Sequence, residues 1–84
     1  MNTTWRELLL KDMASNMGQC EYECTLSSDD LDIAFDDGVG CEEGAPFTAW
    51  SADYVYFPVV YDGHEWVGSV PRNPNGVSTW HQGR

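Results

Sequence analysis

The chain has 84 residues, with four Lys and Arg against fourteen Asp and Glu and a formal charge of −10 at pH 7. That length excludes a second folded unit and buries only about 60–65% of the unfolded surface, so the core is thin; the 42% hydrophobic share, with four Trp, four Tyr and three Phe, still argues for a folded protein. Such acidity excludes binding to DNA, RNA or an anionic membrane through the general field, and leaves basic partners: a cation, a positively charged protein surface, or a groove that ordinarily holds nucleic acid.

Residues 4–17 read as an amphipathic helix within an N-terminal segment 1–18. Thr4 and Glu7 form a capping box, in which the hydroxyl accepts an orphan helix N–H and the carboxylate reaches back. Trp5, Leu8, Leu9, Met13 and Met17 share one face, Leu10 lies on its flank, and Gly18 supplies the left-handed stop. From Gln19 the period changes to two, opening an acidic strand-and-loop segment, 19–53. Cys20, Tyr22, Cys24 and Leu26 alternate with Glu21, Glu23 and Thr25, as on a half-buried strand.

Residues 27–46 admit two readings. Leu31, Ile33 and Phe35 alternate with polar neighbours and Ala34, which suits a short strand with a carboxylate-rich outer face; the rival is a capped helical turn at 28–32 behind Ser27. Asp37-Gly38, Gly40 and Glu43-Gly44-Ala45-Pro46 mark a loop, and Phe47–Trp50 a further short extended piece.

The sharpest local signal covers 54–71. Two runs rich in Val and aromatic residues flank Asp62-Gly63, a two-residue type I′ turn. The register follows: Tyr61 faces His64, Val59 faces Trp66, Phe57 faces Gly68 and Val55 faces Val70. One face then carries Val55, Phe57, Val59, Tyr61, Trp66 and Val70, and the expectation is that the helix packs there. The opposite face, with Tyr54, Tyr56, Val60, Val67 and Ser69, is expected to be wetter. Pro58 stands at a non-hydrogen-bonded pair opposite Val67, so the strand is an edge there or is bulged. Residues 72–84 form a tail, loosely held and pinned by Trp80. The fold class expected is α+β: one N-terminal helix on a small antiparallel sheet of three to four strands.

Chemistry of the catalytic kind is poorly served. His64 and His81 are the only histidines, neither stands in a nucleophile context, and no phosphate loop is present. His64 and Glu65 point to opposite strand faces and do not make an acid–base pair. Starting a calcium loop at Asp30 puts Ala34, Phe35 and Cys41 at positions five, six and twelve, where ligands and Gly are required. Cys20, Cys24, Cys41 and His64 lack the close pairs of a zinc site. Cys20 and Cys24, four apart on a strand, lie about 13 Å apart at 3.3 Å per residue, beyond disulfide reach. The expectation is therefore a non-enzymatic protein without cofactor or metal, its thiols reduced in a cytoplasmic setting, with any pairing of Cys41 left open. The apolar runs are far shorter than the roughly 20 residues of a spanning helix, and no signal-peptide core appears.

Charge is the remaining signal, and it is local. Residues 1–18 sum to zero, whereas 19–43 hold nine carboxylates and neither Lys nor Arg. A solvated acidic coat is one reading, although unpaired like charges strain a thin-cored domain. The other is mimicry of a nucleic-acid backbone: same-face strand carboxylates repeat at about 6.6 Å, close to two phosphate steps of a single strand.

In size, acidity, reduced cysteines and helix-plus-sheet pattern, the whole chain resembles the phage-encoded anti-CRISPR proteins, particularly the acidic DNA mimics that inhibit type I surveillance complexes. The resemblance implies a monomeric, stoichiometric inhibitor in the bacterial host cytoplasm, seated where Cas proteins of the Cascade complex read the duplex beside the protospacer. It implies Asp29, Asp30, Asp32, Asp36, Asp37, Glu42 and Glu43 as contacts with Lys and Arg there, with Glu21 and Glu23 next and Tyr54 or Tyr56 as exposed aromatic anchors. An immunity protein or antitoxin that plugs a nuclease site, and an anti-restriction DNA mimic, call for the same surface.

Overall fold

The computed structural model describes residues 2–15, 21–36, 38, 44–79 and 81. In chain order these form β1 (Asn2–Thr3), α1 (Trp5–Ser15), β2 (Glu23–Cys24), α2 (Ser28–Leu31), β3 (Phe35–Asp36), β4 (Ala49–Trp50), β5 (Tyr54–Tyr61) and β6 (His64–Pro71). A four-stranded antiparallel sheet in the order β2-β4-β5-β6 carries the helix, and β1 and β3 make a separate two-stranded ladder. The class is α+β, as expected; the β1–β3 ladder is an addition that two-residue strands could not announce in the sequence.

Helix α1 begins where its cap places it. The Thr4 hydroxyl accepts the Glu7 N–H at 3.2 Å, and the first main-chain bond runs from Leu8 to Thr4. The Glu7 carboxylate departs from the capping box: it accepts the Thr3 hydroxyl at 3.1 Å. Trp5, Leu9 and Met13 are buried, Leu8 is half-buried and Leu10 is exposed, the stripe expected from 3.6-residue spacing. Met17, Gly18 and Cys20 lie outside the described residues.

The hairpin register matches residue for residue, from Tyr61↔His64 to Val55↔Val70. Positive φ values of 52° at Asp62 and 79° at Gly63 give the type I′ geometry that closes a right-twisted hairpin. Strand β4 pairs with β5 at Ala49↔Tyr56 and Trp50↔Val55 and ends there, so β5 is an edge at Pro58, whose missing N–H leaves no ladder gap.

The face that meets the core is the reverse of the one expected. Tyr56 is fully buried and Val67 is 5% exposed, both in one cluster with Trp5, Leu9, Met13, Leu31, Phe35, Phe47 and Ala49. Val55, Phe57, Trp66 and Val70, on the supposed inner face, are only half-buried and Tyr61 is 52% exposed; Val59 of that face is buried but lies outside the cluster, and Val60 of the other face is exposed near the hairpin turn. Period-two alternation separates two faces without saying which turns inward when both carry large apolar groups. Here Ala49, fully buried beside Tyr56, opens space for α1, and the Tyr56 hydroxyl shares a 3.5 Å hydrogen bond with Ser51, so the phenol is buried without stranding its polar end.

Between residues 27 and 36 both readings hold in part. Ser27 caps α2, its hydroxyl accepting the Asp30 N–H at 3.1 Å, and the rest of the segment reaches β3 only at Phe35. Leu31 and Phe35 are buried while Ile33 is 62% exposed, which overturns the strand reading at Ile33. The reason is the cap: once Ser27 nucleates α2, the chain leaves it after Leu31 and is extended again only at Phe35, so Ile33 never occupies a strand position.

Gly44 fixes the return of the chain to the core. The Trp5 indole lies against it and donates Nε1–H to the Ala45 carbonyl at 3.0 Å. The Gly44 N–H points to the buried Glu65 carboxylate at 3.1 Å. Phe35 and Phe47 flank the indole at centroid distances of 4.7 and 4.8 Å.

Candidate partner-binding surface

Local structure sorts the acidic side chains by role. Glu21 and Glu23 project from the exposed face of the β2 segment, alternating with half-buried Tyr22, Cys24 and Leu26 as period two requires. Glu23 faces Trp50 across the β2–β4 ladder and accepts its indole N–H at 2.9 Å. Asp29 and Asp30 stand exposed in the first turn of α2, where a carboxylate complements the free N–H groups of a helix start. Asp32 follows at the C-cap. Asp36, on β3, is half-buried and accepts the Gly38 N–H at 3.0 Å. Asp37, Glu42 and Glu43 lie outside the described residues, as does Cys41.

These carboxylates do not stand on one sheet. Glu23 belongs to the four-stranded sheet with Glu21 two residues ahead of its strand, Asp29, Asp30 and Asp32 to α2 and its cap, and Asp36 to the β1–β3 ladder. Among the described residues, only Glu21 and Glu23 keep the alternating, same-side placement on which the expected strand repeat of about 6.6 Å rests.

A larger correction concerns the cations. The segment 19–43 has none in sequence, yet the fold brings two into it. Arg6, from the outer face of α1, donates from Nε to Asp32 at 2.6 Å and from Nη2 to the carbonyl and hydroxyl of Ser28 at 2.9 and 2.8 Å; Nη1 reaches the Tyr22 hydroxyl at 3.3 Å. The Asp32 hydrogen bond raises the Arg6 pKa above its ordinary value. Arg6 sits in a shallow depression of about 430 Å³ that Glu21, Tyr22, Ser28 and Leu31 also line. Arg72, tied to the Ser51 carbonyl at 3.2 Å, shares a second depression with Glu21, Glu23 and Trp50. Among the described residues the surface thus holds five exposed carboxylates with two guanidiniums beside them, of which Arg6 is bonded to one, Asp32. Arg6 ties α1 to Tyr22 and to α2 and its cap, Arg72 ties the chain after β6 to the end of β4, and the carboxylates still outnumber them.

The proposed aromatic anchors are placed otherwise than expected. Tyr56 is a core residue with no exposure, and Tyr54 is half-buried, packed on the core with its ring centroid 6.4 Å from that of Tyr56. The aromatics that do border the carboxylates are Tyr22 and Trp50. Neither was marked by its immediate sequence: Tyr22 reads as an inward strand position, and Trp50 reaches Glu23 only across 27 residues.

Among the described residues no three His, Cys, Asp or Glu side chains are grouped to hold a metal ion. Among the described residues, no helix is long and apolar enough to cross a membrane. What this surface can do chemically is present fixed anionic oxygens, with two indole and phenol edges, to a cationic counterpart. The fold and site define a small α+β domain with an acidic face. No protein-family model matches the chain, and no curated protein and no solved structure matches it.

Proposed function

We propose that this protein is a stoichiometric inhibitor whose acidic face occupies a basic nucleic-acid-binding groove, acting as the anti-CRISPR proteins that it resembles act on type I surveillance complexes in the bacterial host cytoplasm. One observation carries this reading: Glu21, Glu23, Asp29, Asp30 and Asp32 are exposed together on adjoining elements and outnumber the two guanidiniums among them. Nucleic-acid grooves are lined with Lys and Arg whose usual counter-ions are phosphates, and a rigid display of carboxylates competes for the same charges. Arg6 contributes rigidity. By fixing Asp32 and the backbone of α2, it lowers the entropy lost when long or mobile side chains are ordered at an interface.

Association of this kind is steered by the field, fast, and weakened by salt, because the Debye length shrinks from about 10 Å at 0.1 M to about 3 Å at 1 M. The test is competition with a target duplex for a purified type I surveillance complex, read by fluorescence anisotropy of labelled DNA. The chain is expected to displace the DNA at low salt and lose potency as salt rises. Glu21→Lys, Asp29→Lys and Asp30→Lys together, all at exposed positions, are expected to cost at least tenfold in potency while the thermal midpoint holds. A charge-reversed variant that competes as well as the parent overturns the proposal, as does a parent chain that never displaces DNA.

A further inference from the structure

Resting on the acidic-face reading, a second feature specifies what the basic partner must carry besides charge. Ile33 follows the C-cap of α2, and its N–H bonds to the Asp30 carbonyl at 3.3 Å. That turn throws its side chain outward to 62% exposure, between the buried Leu31 and Phe35. Ile33 is not isolated there. With Leu26 and Ala45 it rims a groove of about 310 Å³ whose floor reaches Trp5 and Phe35 of the core stack, and Asp30 lines the same groove. Cavities for whole small molecules run from about 300 to 1,000 Å³, so this one is at the bottom of that range and suits a single large side chain.

We infer that this groove seats one aliphatic or aromatic side chain of the basic partner, flanked on its own chain by Arg or Lys that meet Asp29 and Asp30. Charge complementarity selects this occupant. A second copy of the chain brings a formal charge of −10 against Asp30, which lines the groove, and its exposed neighbour Asp29, and a nucleic acid brings phosphates, so both are repelled. A neutral apolar molecule would leave the carboxylates beside the groove without a role. Interfaces of this build concentrate their energy in one desolvated apolar anchor ringed by polar contacts, and Ile33 with Phe35 supplies the receiving pocket that Tyr54 and Tyr56 do not.

The probes are two fluorescently labelled synthetic hexapeptides of equal charge, one with Leu-Phe and one with Ser-Ser between two pairs of Arg. Anisotropy titration at low salt is expected to show about tenfold tighter binding of the Leu-Phe peptide. That preference is expected to vanish in Ile33→Ser and persist in Leu10→Ser, a control at an exposed position on α1. Equal, salt-sensitive binding of both peptides overturns the groove and leaves the acidic-face reading standing. A preference that survives Ile33→Ser also overturns the groove. Absence of binding by either peptide overturns the groove and the acidic-face reading together.

Discussion

Replacing Gly44 with Ala tests the packing that holds the acidic segment to the core. A Cβ at Gly44 would overlap the Trp5 Cζ2 atom and come within 2.7 Å of Cε2 and 2.9 Å of Nε1. The indole has little room to give: Trp5 is 2% exposed, packs against Phe35 and Phe47 at 4.7 and 4.8 Å, and is tied to the Ala45 carbonyl. Overpacking a filled core costs roughly 1–3 kcal/mol, and a displaced indole forfeits a hydrogen bond worth about 1 kcal/mol. The lower chain entropy of Ala in the unfolded state offsets about 0.4–1 kcal/mol of this. The balance is a loss centred on about 2 kcal/mol, and domains of this size lose about 4–8 °C in melting midpoint per kcal/mol. A fall of roughly 8–16 °C is expected in a thermal melt followed by far-ultraviolet circular dichroism. In a Trp5→Phe background, which lacks the overlapping indole edge, the same Gly44→Ala change is expected to cost less than about 1 kcal/mol, because contacting residues couple. A Gly44→Ala protein that melts within about 2 °C of the parent, or loses equally in both backgrounds, refutes the reasoning.

Three further outcomes follow from particular contacts. Tyr56→Ala is expected to cost about 3–5 kcal/mol in urea denaturation and Tyr61→Ala less than about 1 kcal/mol, since one ring is fully buried and the other is 52% exposed; equal losses would restore the opposite hairpin face as the core. Glu65→Leu deprives the Gly44 N–H of its acceptor and is expected to cost about 1–3 kcal/mol, with Glu65→Gln, which keeps an acceptor oxygen, losing clearly less; indistinguishable midpoints for the two would show that the bond contributes nothing. Arg6→Gln removes a cation from the acidic face and unties Asp32 and Ser28, so stopped-flow association with a basic partner is expected to quicken at low salt. Dissociation is expected to quicken too, as α2 loses its fixed position, and unchanged rates in both directions would count against Arg6 as an organiser.

Much of the scaffold was readable because its signals are short-range. Asp62-Gly63 can turn in few ways, and once it turns the hairpin register follows from counting outward. Thr4 sets the start of α1 by one side-chain bond to Glu7, three positions away. The contest at 27–36 was between two local signals of similar strength, and the Ser27 cap prevailed over an alternation only three apolar residues long. The candidate surface was legible as composition: Glu21, Glu23, Asp29, Asp30 and Asp32 are exposed, as their charge predicts, because burial of an unpaired carboxylate costs far more than any contact returns.

The sequence by itself settled that this is an acidic α+β domain, where its helix begins, how its hairpin pairs, and that its charge belongs to the segment 19–43. Those properties depend on neighbours within a few positions, where backbone geometry admits few alternatives. Only the tertiary structure decided which face of the hairpin meets α1, that Tyr56 is core and Ile33 is surface, and that Arg6 and Arg72 sit among the carboxylates. The placement of the two arginines turns on contacts between residues some 20 to 50 positions apart, which no local pattern specifies; Tyr56 and Ile33 turn on which of two plausible faces the packed core accepts. The charge of −10 is thus a property of the chain, but the form in which a partner meets it, exposed carboxylates with Arg6 and Arg72 set among them beside an apolar groove, is a property of the fold.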